Sequence, residues 1–348
     1  MPFNVRIDQL NNSKIHLKNV ALQIEVLQKT MLGICEKLSI PNQVLFTKNF
    51  LNYIRQYISP EPIACTADFL IVGSNSYLRY RTNSANYLQN GKRVISFAHG
   101  HGCAFLLDDP YIGYGEFSYC NYYFTYGSFK LDYGSFNRPL THPPLIIQRT
   151  SKVIDSFYKP SSPLRIIQRY DDLKILYIPT GFSKNVRYGP FRDLDDQVYM
   201  EWQKAILAWN ENVYIKSYPG QEKYYELDAS RFILGNMMNN LDILETFDLI
   251  IIDYFSTIAN LVASSTTQVL YLNRGLMNIN PSALEVFKER VIWHDIDLEK
   301  TWPNQIDDGY KKVFSEQHQK KNNYTEQFNL NARAKPEHVL IREVIMSD

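Results

Sequence analysis

The stretch that most constrains the fold runs Phe247-Asp248-Leu249-Ile250-Ile251-Ile252-Asp253-Tyr254-Phe255-Ser256-Thr257. Leu249 to Ile252 is apolar at every position rather than at every second one, which suits a strand covered on both faces, as in a parallel sheet. Ala259, Asn260, Leu261 and Val262 then read as a helix, so Ser256 and Thr257 stand where that helix begins. Hydroxyls and free backbone N–H groups at a helix start hold an anion, and a phosphate best. The crevice at the carboxyl ends of parallel strands is also where open α/β sheets bind ligands. Function is therefore sought at this strand end.

The rest of the chain supplies the sheet. Asp68 to Gly73, Arg93 to Ala98 and Asn121 to Tyr126 read as short strands, with a helix over Ser84 to Asn90 between the first two. Before them, residues 1–64 read as mostly helical, with Val20, Ile24, Leu27, Met31 and Ile34 at helical spacing. Five prolines (139, 143, 144, 160 and 163) mark residues 134–171 as irregular. A second set of strands follows at Leu173 to Ile178, Val213 to Lys216, 249–252, Val269 to Leu272 and Val291 to Trp293. Helices are expected at Leu194 to Trp209 and Met237 to Leu244, with a solvated helix at Asp307 to Asn331. The expected plan is α/β: a first half at residues 1–150, a connector at 151–171, a second half at 172–300 and a helical tail at 301–348.

Composition narrows the function classes. In 348 residues, 37 basic and 36 acidic side chains leave a net charge of +1, which argues against a nucleic-acid binder. Cys35, Cys65, Cys103 and Cys120 lack CxxC spacing, so neither a disulfide framework nor a zinc site is signalled, and a reducing cytoplasm is expected. No membrane span or secretion signal is expected from the apolar runs or the first residues.

Chemistry-bearing residues gather after the strands. His99-Gly100-His101-Gly102 follows one strand, and either histidine could take a proton from a hydroxyl; the alternative is a tight turn bonded to backbone. Asp109 and Glu116, on the same connection, are candidates for acid, base or nucleophile, or else turn formers and caps. Thr180, Ser183, Lys184 and Arg187 follow the first strand of the second set and suit phosphate oxygens. Lys216 and Tyr218 follow its neighbour, and Ser256 and Thr257 complete an arc in which a buried Asp253 orients the loop.

Four ordered fragments resemble the CDP-glycerol glycerophosphotransferase-like superfamily, and the related capsule and lipopolysaccharide transferases. They are Phe97-Ala98-His99-Gly100, Ile175-Leu176-Tyr177-Ile178-Pro179-Thr180, Lys216-Ser217-Tyr218-Pro219 and Asp248 through Asp253-Tyr254-Phe255-Ser256-Thr257. Together they span roughly residues 67–275. The resemblance implies two Rossmann-like domains facing a cleft, the GT-B plan, with the acceptor on residues 1–150 and the nucleotide donor on residues 172–300. The helical residues 1–64 depart from a full first Rossmann half, so either a reduced first domain with a helical N-terminus or dependence on a partner is expected. It implies His99 or His101 as base, donor phosphate on Ser256 and Thr257 with help from Thr180 and Lys216, and no metal or other cofactor to hold the donor.

Tyr218 stands where the family's second histidine would be, which favours a sugar donor over glycerol phosphate. The expected function is transfer of a sugar, an ulosonic acid among the candidates, from a CMP- or CDP-linked donor to a surface polysaccharide or lipopolysaccharide acceptor. Such an enzyme would work in the cytoplasm or at the inner face of the membrane, with a glycan or lipid-linked acceptor and a partner protein. The alternatives are a CDP-glycerol or CDP-ribitol phosphotransferase and a non-catalytic nucleotide- or glycan-binding protein.

Overall fold

The structure, a computed structural model, describes residues 17–39, 47–49, 65–75, 78–98, 100, 116–127, 143–159, 162–169, 172–181, 196–218, 220–233, 241–275, 277, 279–317, 324–330 and 334–347. The chain divides into two compact units, Met1–Ile95 and Ser96–Asp348.

In the first unit the helix Leu17–Lys37 forms where apolar spacing predicts it and buries Cys35. Strand β1 (Phe69–Val72) is followed by a helix, Leu78–Gln89, which starts earlier than expected. Polar residues on its inner face conceal the periodicity: Asn83 and Ser84 are buried, and the Ser84 hydroxyl donates to Asn75 at 2.8 Å. Strand β2 (Arg93–Phe97) runs across the boundary into the second unit.

In the second unit β3 (Tyr122–Tyr126) pairs in parallel with β4 (Leu145–Arg149), Phe124 lying opposite Ile147. Ala98 donates its N–H to the Phe124 carbonyl at 2.8 Å. Residues 134–171, read as irregular, contain β4 and the helix Lys152–Phe157. Prolines 143, 144, 160 and 163 bracket this strand–helix pair instead of interrupting it, and Ser151 caps the helix by accepting from the Ile154 N–H at 3.3 Å.

Five parallel strands form the larger sheet: β5 (Ile175–Ile178), β6 (Val213–Ile215), β7 (Leu249–Ile252), β8 (Gln268–Asn273) and β9 (Ile292–Asp295). Their spatial order is β6-β5-β7-β8-β9, which is 2-1-3-4-5 in order along the chain. All four neighbouring pairs are parallel. Successive residues of β7 feed opposite cores, as a fully apolar strand must. Ile250 and Ile252 join Leu176, Ile178, Val269 and Tyr271, whereas Leu249 and Ile251 join Ile175, Tyr177, Leu270 and Leu272. Both faces are therefore dry, and the α/β class with parallel, Rossmann-type sheets is as the sequence leads one to expect.

Short helices Lys152–Phe157, Thr257–Ser264, Pro281–Lys288 and Tyr324–Phe328 supply residues to the first face. Asp196–Trp209 and Trp302–Ser315 supply the second. Trp302–Ser315 is not the solvated helix expected from its charges. Ile306, Tyr310 and Val313, at helical spacing, are buried, while Lys311 pairs with Asp307 and Asp308 and Lys312 with Glu316. Met237 to Leu244 is described only from Leu241, where it is a 3-10 turn.

Arg290, 1% exposed, donates to the carbonyls of Ala263, Ser265 and Thr267 at 2.7, 3.0 and 3.1 Å, closing the C-terminal end of Thr257–Ser264. A cation there also meets the negative end of the helix dipole. Burial pushes its pKa down to about 10.

Candidate functional site

The 2-1-3-4-5 order reverses direction between β5 and β7, and ligands of open α/β sheets bind outside the strand ends at such a reversal. The two strands end in Pro179-Thr180-Gly181 and in Asp253 to Thr257. Asp253 ties them together. Its Oδ2 accepts from the Tyr177 hydroxyl at 2.6 Å and the Trp202 indole N–H at 2.7 Å, and its Oδ1 accepts from the Thr180 N–H at 3.2 Å. Arg274 brings a guanidinium nitrogen to 3.7 Å of the same Oδ2, with both side chains almost wholly buried, and lies 4.8 Å from the Tyr199 ring centroid. Asp253 thus spends its lone pairs inside the protein, shaping the loop that carries Thr180.

A second layer fixes that loop. Gln203 donates to the Thr180 carbonyl at 2.8 Å and accepts from the Tyr225 hydroxyl. Burial, reinforced by the Asp253 charge, pushes the Tyr177 and Tyr225 phenols above their ordinary values, so both remain hydrogen-bond donors. Gly181 is needed for close approach: a Cβ there would lie 2.8 Å from Cγ of Tyr218. Tyr218, half exposed, therefore covers the β5 loop from the β6 side. Lys216, at the same strand end, reaches the Ser217 carbonyl at 3.4 Å. The Glu222 carboxyl nearby is held below its usual range, first by its own backbone N–H and further by Ser217 and Lys216.

Ser256 is the N-cap of Thr257–Ser264, its hydroxyl accepting from the Ile258 N–H at 3.3 Å. Thr257 occupies the first helical position and faces Gly100, where a Cβ would fall 2.0 Å from the Thr257 hydroxyl oxygen. Gly100 also has φ +86°, a conformation that L side chains adopt only with strain. Gly100 and Thr257 line one cavity of about 320 Å³ together with Tyr126, Arg149, Lys152 and Glu337. Arg149 is 9% exposed, donates to the Tyr126 hydroxyl at 2.8 Å and pairs with Glu337 at 2.8 Å.

The structure thus brings Thr180, Tyr218, Lys216 and Asp253 to adjoining strand ends, and places Ser256 and Thr257 at the end of the Asp253 loop. Glu116 is buried beside the 3-10 turn Phe117–Tyr119. His99, His101, Asp109, Ser183, Lys184 and Arg187 lie outside the described residues. Sequence reasoning passed over Arg149, Lys152 and Glu337. An arginine closing the apolar run Leu145-Ile146-Ile147-Gln148 was a usable signal, masked by the surrounding prolines.

No metal-binding group of three or more His, Cys, Asp or Glu occurs among the described residues, and no described helix is long and apolar enough to cross a membrane. No family model and no curated protein matches the sequence. Among solved structures, Staphylococcus aureus MnaA with UDP is similar at 12% identity and TM-score 0.49, over 84% of this chain and 75% of that one. A putative UDP-N-acetylglucosamine 2-epimerase from Listeria monocytogenes is similar at 13% identity and TM-score 0.44, over 85% and 78%. A mutant of S. aureus TarM in complex with fondaparinux, α-GlcNAc-glycerol and UDP is similar at 12% identity and TM-score 0.38, over 80% and 54%. With the TM-scores of these three below 0.5, the α/β fold rests on the chain's own strand order.

Proposed function

We propose that the protein is a glycosyltransferase that moves a sugar from a CMP- or CDP-activated donor to a surface polysaccharide or lipopolysaccharide acceptor. The observation that carries this reading is the packing of Gly100 against Thr257 in the wall of one cavity. It puts Gly100, sequence neighbour of the histidines that supply a base in the resembled family, against the loop proposed to hold donor phosphate.

In this mechanism the N-terminus of Thr257–Ser264, with Lys216 from the end of β6, stabilises charge on the leaving nucleotide. His99 or His101, on either side of Gly100, takes the proton of the acceptor hydroxyl as its oxygen attacks the anomeric carbon. Asp253 reacts with nothing; it holds Thr180 in place. Tyr218 over Gly181 occupies the position of the resembled family's second histidine, which supports a sugar donor over glycerol phosphate. The enzyme would act on the cytoplasmic side, where nucleotide sugars and lipid-linked acceptors meet.

Thermal-shift measurements with CMP, CDP, UDP and GDP test the donor assignment, because a ligand that binds only the folded state stabilises it by mass action. A cytidine nucleotide should raise the midpoint most. No shift with any nucleotide would sink the transferase reading. His99→Ala and His101→Ala, made separately, should show one variant that loses turnover while still binding nucleotide.

A further inference from the structure

We infer that the cavity beside Thr257 is a subsite for an oxyanion carried by a substrate sugar, a carboxylate or a phosphate, recognised by Arg149 and Lys152. The assignment of the oxyanion to a substrate of sugar transfer rests on the reading above; the chemistry of the cavity stands apart from it.

Arg149 is an expensive cation to hide, since removing a charge from water costs several kcal/mol unless partners repay it. The protein fixes it on several sides. It lies 4.7 Å from the Phe97 ring centroid and 4.5 Å from that of Tyr126, donates to the Tyr126 hydroxyl oxygen, and pairs with Glu337. Its Nε, buried, has no hydrogen-bond partner among the described residues. Its two terminal nitrogens hold Glu337 and Tyr126, which fixes the guanidinium in the cavity wall as a positioned positive charge, suited to an oxyanion.

Fastening the C-terminal helix Glu337–Met346 would explain the Arg149–Glu337 pair, but not Lys152. That lysine is exposed, lines the same cavity, and has no ion pair or hydrogen bond among the described residues. Among the described lining residues, Arg149 and Lys152 against the carboxylate of Glu337 leave one positive charge in excess. Its volume, about 320 Å³, falls at the small end of the roughly 300–1,000 Å³ typical of ligand pockets, which suits one sugar unit better than a whole nucleotide sugar. Thr257 lines the same space, so an anionic group here would sit next to the proposed donor phosphate loop.

The test uses the full chain and four probes at constant ionic strength: glucuronate, glucose 6-phosphate, inorganic phosphate and glucose, each titrated by calorimetry. Glucuronate or glucose 6-phosphate should bind and glucose should not; the first result marks a carboxylate site, the second, with inorganic phosphate, a phosphate site. Lys152→Gln should weaken that binding about ten-fold or more, the loss of one charge-assisted contact. Arg149→Lys, which keeps the charge but cannot hold Tyr126 and Glu337 in the same geometry, should weaken it as well. Acidic sugars binding no better than glucose, or binding wild type and Lys152→Gln alike, would overturn the proposal. CMP, CDP and UDP titrated in parallel should bind both proteins equally. Nucleotide binding without acidic-sugar binding would remove the subsite and leave the transferase reading; the converse would do the reverse. A nucleotide weakened by Lys152→Gln would put the nucleotide's own phosphate in the cavity and overturn the assignment to a sugar.

Discussion

Asp253→Asn is the substitution whose consequences the structure states most fully. The carboxylate accepts three hydrogen bonds, from Tyr177, Trp202 and Thr180, and faces Arg274 at 3.7 Å. An asparagine has one oxygen. If that oxygen serves Tyr177 and Trp202, its amide N–H₂ confronts the Thr180 N–H, donor against donor, and a buried donor without a partner costs about 1–3 kcal/mol. Arg274 also loses the charge that compensates its burial, and breaking a buried ion pair from one side costs about 3–5 kcal/mol. The two effects overlap, so the expected loss is about 3–6 kcal/mol. Urea unfolding followed by tryptophan fluorescence measures it, since Trp202 sits in the network. Adding Arg274→Met should recover part of the loss, because the uncompensated cation is gone. A single Asp253→Asn variant within about 1 kcal/mol of wild type would refute the claim that this carboxylate organises the two strand ends.

Three further outcomes follow from single side chains. Gly100→Ala forces a Cβ onto the Thr257 hydroxyl and a left-handed backbone onto an L residue, about 1–2 kcal/mol for the backbone alone; the melting temperature should fall, and adding Thr257→Ala should restore the part of that stability lost to the clash. Arg290→Met, which strips three carbonyls at a helix end of a charged donor, should cost about 3 kcal/mol or more, read by urea denaturation. His294 has its pKa lowered by burial and by Lys312, against smaller opposing effects from Gln305, Asp308 and Asp295. The unfolded chain therefore binds a proton there more readily than the folded one. Stability from this group is present above the unfolded value of about 6.5 and is lost as pH falls below it; His294→Asn should flatten the melting-temperature profile in that range.

The β7 strand was legible because its period is unambiguous: four apolar residues in a row can only be covered on both sides, and Leu249/Ile251 and Ile250/Ile252 are. Ser256 was legible as a helix start because capping chemistry is local. The helix Pro281–Lys288 carried an equally local signal, Asn280 as cap and Pro281 in the first turn, and it was passed over. What local reading could not reach was the company each residue keeps. Asp253 sits beside phosphate-type residues in sequence, yet its partners come from β5, from Asp196–Trp209 and from the end of β8. Arg149 and Lys152 lie in a proline-bracketed segment whose propensity argues for a loop, while parallel pairing with β3 imposes a strand. Glu337 meets Arg149 across a long stretch of chain, and nothing in either local sequence announces that pairing.

The central claim is that a nucleotide is held where β5 and β7 diverge. Amide hydrogen exchange of the full chain, with and without CMP, CDP and UDP, tests it most directly. The account predicts that at least one nucleotide slows exchange at Thr180, Gly181 and residues 254–259 while leaving the edge strand β9 unchanged. Binding that protects other segments and leaves those amides as they were would contradict it.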